Sequence, residues 1–230
     1  MTAQLNDASP SSLGHRFDDV VLRRHSTRMF LPDKQVPRRL LQEALTLAMR
    51  APSNSNVQPW HVFLTTGARR ERLGAALAAA VRATSPPSLG LPESHNQLRR
   101  QLGALLYGAM GVARDDAAGR RTAQLRNWDF FNAPVAGIVC MHRDLGLPDA
   151  IGVGMFLQTL LLALTDRGLD SCVQVSTALY PDVARGQLGI PDELVVLCGL
   201  CIGYEDPTFV ANHLDIPRNP VTDNVVFFED

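Results

Sequence analysis

The run from Ala150 to Leu164, AIGVGMFLQTLLLAL, carries apolar residues on nearly every side of the helix it would form. A helix of that kind needs cover from all directions, which one lying on a protein surface does not receive. A bilayer would also cover it, but crossing one takes about 20 apolar residues in succession. This run has fifteen, includes Gln158 and Thr159, and stops at TDRG. It reads as a core helix, with Asp149 placed to favour its amino end and Gly168 its carboxyl end. The 230 residues, 46% of them hydrophobic, are enough to build a shell around it. There is no internal repeat and no composition shift that would mark a second domain. One domain over residues 17–230 is expected, after a polar, flexible tail over residues 1–16. Gly152-Val153-Gly154 echoes a dinucleotide-binding loop but has no third glycine and no leading strand, so close helix packing is its expected use.

The other elements read as α+β. Pro37 to Met49 has apolar Leu41, Ala44, Leu45 and Ala48 at helical spacing, with Pro37 suited to the first turn. Strand-like runs occur at His61–Thr66, Val135–His142, Val195–Gly203 and Asn224–Phe228. Arg69 to Arg126 is rich in helix-forming residues and is broken by TSPPSLGLPESHN, a loop too polar and proline-rich for a core. PDVARGQLGIPDE reads as a short helix ended by Gly189.

Several chemistries are excluded or disfavoured. With 22 basic and 23 acidic side chains the net charge is -1, which gives no field to hold a polyanion, so nucleic acid is not an expected partner. The four cysteines are too few for a disulfide framework; Cys198 and Cys201 have an odd spacing that points them to opposite faces of a strand, as buried thiols. The amino terminus has neither the basic nor the apolar region of a secretory signal, and a cytoplasmic protein without a membrane anchor is expected. The six histidines show no chelating spacing, and neither a Gly-x-Ser-x-Gly elbow nor a phosphate-binding P-loop occurs. Asp115 and Asp116 adjoin Arg114 and read as a solvated helix face. With no organised catalytic set, an enzyme of this sequence would depend on a bound cofactor.

Two stretches stand out. In RRHSTRMF, Arg24, Ser26 and Arg28 alternate, so an extended backbone puts all three on one face, where they could grip an anion. A basic surface segment fits the same residues. APSNSNVQPWHVF, residues 51–63, gathers uncharged hydrogen-bonding groups in one loop, which fits either a ligand cradle or a self-bonded turn.

Taken together, RHSTRMF, the helix near Pro37, APSNSNVQPWHVF, RNWDFFNAPV, GLDSCVQVSTALYPDV and CGLCIGYEDP with a later Arg218 resemble the FMN-dependent nitroreductase family. Within it they are similar to the branch that includes nitrobenzoate reductases, over roughly residues 20 to 228. The resemblance implies a mixed sheet flanked by helices and an intertwined homodimer with FMN sites at the subunit interface. It also implies reduction of nitroaromatic compounds by two-electron, ping-pong hydride transfer from NADPH or NADH. A quinone or ene reductase, or a flavin-storing protein without turnover, would share the same residues.

By the same resemblance Arg24, Ser26 and Arg218 clamp the FMN phosphate, with His25 adjacent, and Arg28 stabilises negative charge at the flavin N1/O2 edge. Pro52, Ser53, Asn54 and Asn56 line the cofactor, while Trp60 packs. Val173, Gln174, Val175 and Ser176 bring backbone to the O4/N5 side, and Gly203 allows close approach of chain to ligand. Relatives often carry a Lys two residues before the last arginine; here Ile216 stands there. Tyr107, Trp128, Phe130 and Phe131 offer aromatic surfaces that serve either substrate or core. No metal is implied.

Overall fold

The computed structural model describes residues 12–84 and 90–229. Pro86 and Pro87, in the proline-rich loop singled out in the sequence, lie outside the described residues, as does most of the expected tail. The first helix, α1 (Ser12–Arg23), already begins inside that tail's span.

Four antiparallel strands form the central sheet: β1 (His61–Thr66), β2 (Val135–His142), β3 (Asp170–Gln174) and β4 (Leu194–Gly203), in the order β1-β2-β4-β3. The expected mixed sheet survives only as one parallel bridge, Ser26 to Ser171, beside β3 among the described residues. β3 was not legible as a strand because it has only five residues, and DSCVQ is mostly polar and lacks the apolar/polar alternation that marks a strand. The reverse holds for Asn224–Phe228. The chain there forms a helical turn, α8 (Val221–Asn224), followed by irregular backbone, and Val226, Phe227 and Phe228 are exposed. Its residues suit a strand, but among the described residues no ladder partner reaches them.

Helices cover both faces of the sheet. On one face, α2 (Arg38–Ala48) and α6 (Leu147–Asp166) pack over Val139, Cys198 and Leu200; on the other, α3 (Gly67–Ala83) and α7 (Pro181–Leu188) pack near Ile138 and Cys201. Cys198 and Cys201 thus do face opposite ways, as their spacing requires. Fully burying Phe156, Leu160 and Leu164 of α6 contributes about 1.5–3 kcal/mol each. Gly152 is where the polar loop rides on α6: a Cβ there would lie 3.2 Å from Ser53 and 3.4 Å from Pro59. α4 (Glu93–Ala109) packs against the turn Val210–His213, and α5 (Ala117–Leu125) is capped by Asp116, which accepts from Gly119 N at 2.8 Å. Asp116 of the Arg114-Asp115-Asp116 run is therefore a helix cap.

α6 is longer than its apolar run, at 20 residues, and is apolar enough over that length to pass for a membrane span. The Asp149 carboxylate accepts from Gly146 N at 3.0 Å, and Gly168 takes a left-handed φ of +69° past the carboxyl end. Cover is not complete, however. Ile151, Gly154 and Gln158 form an exposed stripe, with Met155 and Leu162 half-buried beside it. Among the described residues, nothing covers one face of the core helix.

Candidate functional site

The segment after α1 runs extended and pairs with the start of β3: Thr27 N donates to Ser171 O at 3.1 Å. Extended backbone sends alternate side chains to opposite sides, and the consequences are visible. Arg24, Ser26 and Arg28 share one side. There the Arg28 guanidinium donates to Ser26 O at 3.1 Å, and the charges of Arg24 and Arg28 both act on the Cys172 thiol. His25 and Thr27 go the other way. The His25 Nε2 lies 3.2 Å from Glu205 Oε2 and 3.2 Å from Thr27 Oγ1.

His25 therefore belongs to a separate cluster with Glu205 and Asp170, whose ligating atoms lie within 4.8 Å of one another. Asp170 Oδ2 accepts from Glu205 N at 2.8 Å. Burial, and secondarily the Glu205 carboxylate, hold the Asp170 carboxyl above its ordinary range, against that hydrogen bond and the nearby His25 and Lys34 charges.

Arg218 arrives from the far end of the chain, its Nη1 donating to Ile216 O at 2.7 Å and Pro217 O at 3.1 Å. Arg24 is held below its ordinary pKa by burial first and by the Arg218 charge second. Two guanidinium groups 194 positions apart are thus brought close enough to repel. No carboxylate pairs with Arg24, Arg28 or Arg218 among the described residues. Guanidinium groups gathered in this way have the chemistry to hold an anion.

Asn212 braces the site from behind, a role with no signal in the sequence. Its Oδ1 accepts from Arg28 N at 2.8 Å, and its Nδ2 donates to Met29 O at 2.9 Å. At the end of β3, Gln174 is buried and occupied: Nε2 donates to Asn127 O at 2.6 Å, and Oε1 accepts from the Cys201 thiol at 2.9 Å. Both polar atoms of its side chain thus already have a partner within the protein. Val173 is half-buried and Val175 exposed, while the Ser176 hydroxyl is buried without a partner and its carbonyl accepts from Trp128 Nε1 at 3.2 Å. Gly203 makes room for protein: a Cβ there would meet Pro134 Cδ at 2.6 Å and Phe30 Cδ1 at 3.0 Å.

The polar loop sits elsewhere. Asn54 Nδ2 reaches Asp149 Oδ1 at 3.4 Å, in the first turn of α6, whereas Arg16 of α1 pairs with Asp166 in the last turn at 3.7 Å. The rise of 1.5 Å per residue puts those two turns about 25 Å apart. Sheet register agrees. The loop leads into His61, opposite Cys140, while the clamp lies beside Ser171, opposite Ile202, which pairs with Val135 at the other end. Within one chain, Pro52, Ser53, Asn54 and Asn56 do not meet Arg24, Ser26, Arg28 and Arg218.

The loop is partly self-bonded, with Gln58 N donating to Ser53 Oγ at 3.0 Å. Yet Ser55, Asn56 and Gln58 all have φ between 46° and 57°, and Asn54 to Gln58 are exposed. Left-handed backbone at three non-glycine positions costs free energy. Trp60 packs, as expected, stacking on Phe156 at 5.0 Å. Trp128, Phe130 and Phe131 are core residues, and Tyr107 lies under the Arg120 guanidinium at 4.8 Å. All four cysteines are free and buried; burial pushes the Cys140 and Cys172 thiols up to about 11 and Cys198 to about 12.

An α+β sandwich with an arginine clamp at one end of its sheet and a strained polar loop at the other defines a class. Residues 21–204 match the profile of the nitroreductase family, and the chain belongs to it. It is 38% identical to a 4-nitrobenzoate reductase of Nocardioides sp. (strain LMS-CY), over 93% of this chain and 90% of that one. It is 34% identical to a nitrobenzene nitroreductase of Ectopseudomonas oleovorans, over 93% and 97%. Its fold matches that of the FMN and NADPH-dependent nitroreductase NfnB from sphigopyxis sp. strain HMH with a TM-score of 0.89 at 32% identity, covering 93% of this chain and 99% of the other.

Proposed function

We propose that this chain is an FMN-dependent oxidoreductase that draws electrons from NADPH or NADH and reduces nitroaromatic compounds, working as a cytoplasmic homodimer. The observation that carries the reading is the arginine clamp, where Arg24 and Arg218 repel and neither has an acidic partner among the described residues. A phosphate monoester is the anion such a fork of guanidinium groups accepts best. The buried, unpartnered Ser176 hydroxyl is a second fit, a polar group in want of a ligand atom. FMN, when bound, supplies two-electron hydride chemistry that no side chain here offers.

The chain's own residues hold and orient. Arg24, Ser26 and Arg218 hold the phosphate, and Arg28, fixed by Ser26 O and Asn212, presents a permanent positive charge toward the ring. The backbone from Val173 to Ser176 is anchored by Asn127 and Trp128, so its polar groups keep their aim without a titrating side chain.

A second copy completes the site. The loop at the far end of the sheet reaches the clamp only of another chain, which also explains its strain and exposure. The open stripe of α6 and the exposed Val225 to Phe228 arm supply apolar surface for that association. Free, buried cysteines fit a reducing compartment. Anaerobic mixing of the FMN-loaded protein with NADPH or NADH should bleach the flavin rapidly, and a nitroaromatic should restore its colour. Fast bleaching without reoxidation by any nitro compound would reject the acceptor class, and slow bleaching would reject the enzyme.

A further inference from the structure

Of the arginines around the clamp, three have a task. Arg126 is a fourth, and its turn is tied both to the end of β3 and to the segment that carries Arg28. Its neighbour Asn127 anchors Gln174, and Trp128 anchors Ser176, so its turn is tied to the end of β3. Its carbonyl accepts from Phe131 N at 2.9 Å, and Phe131 O accepts from Phe30 N at 3.0 Å, two residues beyond Arg28. The guanidinium lies 5.5 Å from the centroid of the Phe209 ring, and Phe209 O accepts from Asn212 N in the turn that grips Arg28. On α4's side, Nη1 contacts Met110 Sδ at 3.3 Å.

Those partners are unusual for a half-buried guanidinium. A thioether sulfur is a weak acceptor and an aromatic face a soft one. Among the described residues no carboxylate pairs with Arg126; the nearby Asp129 is committed to Arg70 at 3.0 Å. A cation held by a methionine and a phenylalanine has most of its hydrogen-bonding capacity free. Its surroundings suit an aromatic ring bearing a negative group: Phe209 and Met110 for the ring, five N–H donors for the charge.

We propose that Arg126 receives the carboxylate of an anionic aromatic acceptor, so that this enzyme prefers nitrobenzoates to uncharged nitroarenes. The inference rests on the function proposed above and selects between the kinds of acceptor named in the chain's relatives, of which one is an acid and another is neutral nitrobenzene. Met110 and Phe209 hold the guanidinium between α4 and the 206–212 turn, and the acid completes its coordination.

The experiment compares FMN-loaded wild type with R126M, which keeps an apolar stem, and R126K, which keeps the charge. The quantity read is the ratio of kcat/KM for 4-nitrobenzoate to that for nitrobenzene. Loss of one charge-assisted pair should lower this ratio roughly 10- to 100-fold in R126M, with partial recovery in R126K. Binding of benzoate, which carries no nitro group, is measured by titration in parallel with benzamide; benzoate should weaken by a similar factor in R126M and benzamide should not follow. This arm still reads the role of Arg126 if no nitro compound is turned over, an outcome that defeats the acceptor class alone. An unchanged ratio with a lowered melting midpoint would make Arg126 a structural pin and overturn the proposal. So would a shift confined to the NADPH over NADH preference, which would assign the cation to the nucleotide's 2'-phosphate.

Discussion

Replacing Arg24 with methionine should move two properties in opposite directions. Its side chain has no carboxylate partner among the described residues and is opposed by Arg218. In the protein without cofactor, then, removing the charge removes a repulsion, and the stem's packing is retained by methionine. The melting midpoint of the apoprotein should hold or rise, with any rise shrinking as salt shortens the screening length from about 30 Å at 0.01 M to about 8 Å at 0.15 M. FMN affinity should fall, because one charge-assisted contact to phosphate is worth about 1.5–3 kcal/mol, or roughly 10- to 100-fold in Kd. Riboflavin, which has no phosphate, should lose less than about threefold by the same conversion. Fluorescence titration with both flavins, beside thermal melts of the apoprotein at two salt concentrations, separates the cases. Equal losses for FMN and riboflavin, or a fall of several degrees in the apoprotein, would show that Arg24 supports the fold and does not read phosphate.

Two further outcomes follow from local geometry. Gly199 is buried, and a Cβ there would lie 2.6 Å from Thr177 Oγ1, so G199A should cost about 1–3 kcal/mol and lower the melting midpoint by roughly 3–10 °C; an unchanged midpoint would mean that β4 and the 175–179 turn separate easily. Burial raises the Asp170 pKa, so its ionised form is disfavoured in the fold and exacts a stability penalty above the unfolded pKa of 3.8, a penalty relieved as pH falls. D170N keeps an acceptor for Glu205 N, and it should be at least as stable as wild type at pH 7 and lose that advantage toward pH 4, measured by melts across the range; a variant destabilised at pH 7 would contradict the sign.

Much of the fold was legible because its signals are local. β1 and β2 have the bounds their residues suggest, Gly189 ends α7 in left-handed backbone, and Gly152 packs where the sequence asked only for close contact. Long-range pairing was not legible in the same way. Asn224–Phe228 has strand-forming residues but no partner among the described residues, and Asp170–Gln174 has partners but few strand-forming residues. The clamp could be read because alternation in an extended segment assigns Arg24, Ser26 and Arg28 to one side without knowledge of the rest. That rule also sends His25 to the opposite side from Arg24, toward Glu205. What the sequence hides is distance: Asn54 and Arg24 are close along the chain, and only the direction of α6 and the sheet register separate them. Gln174, too, has both side-chain polar atoms bonded within the protein, which no local pattern reveals.

The claim that one flavin site is built by two chains is tested most directly by complementation. R24M is defective in the clamp and a variant with Asn54 and Asn56 both changed to alanine is defective in the loop, and each alone should retain little FMN at a limiting concentration. In a mixed dimer one site receives both defects and the other receives neither, so co-expressed, separately tagged chains purified through both tags should bind tightly about one FMN per dimer. Mixed dimers that bind no more FMN than the two parent variants would place clamp and loop in separate functions and contradict the account.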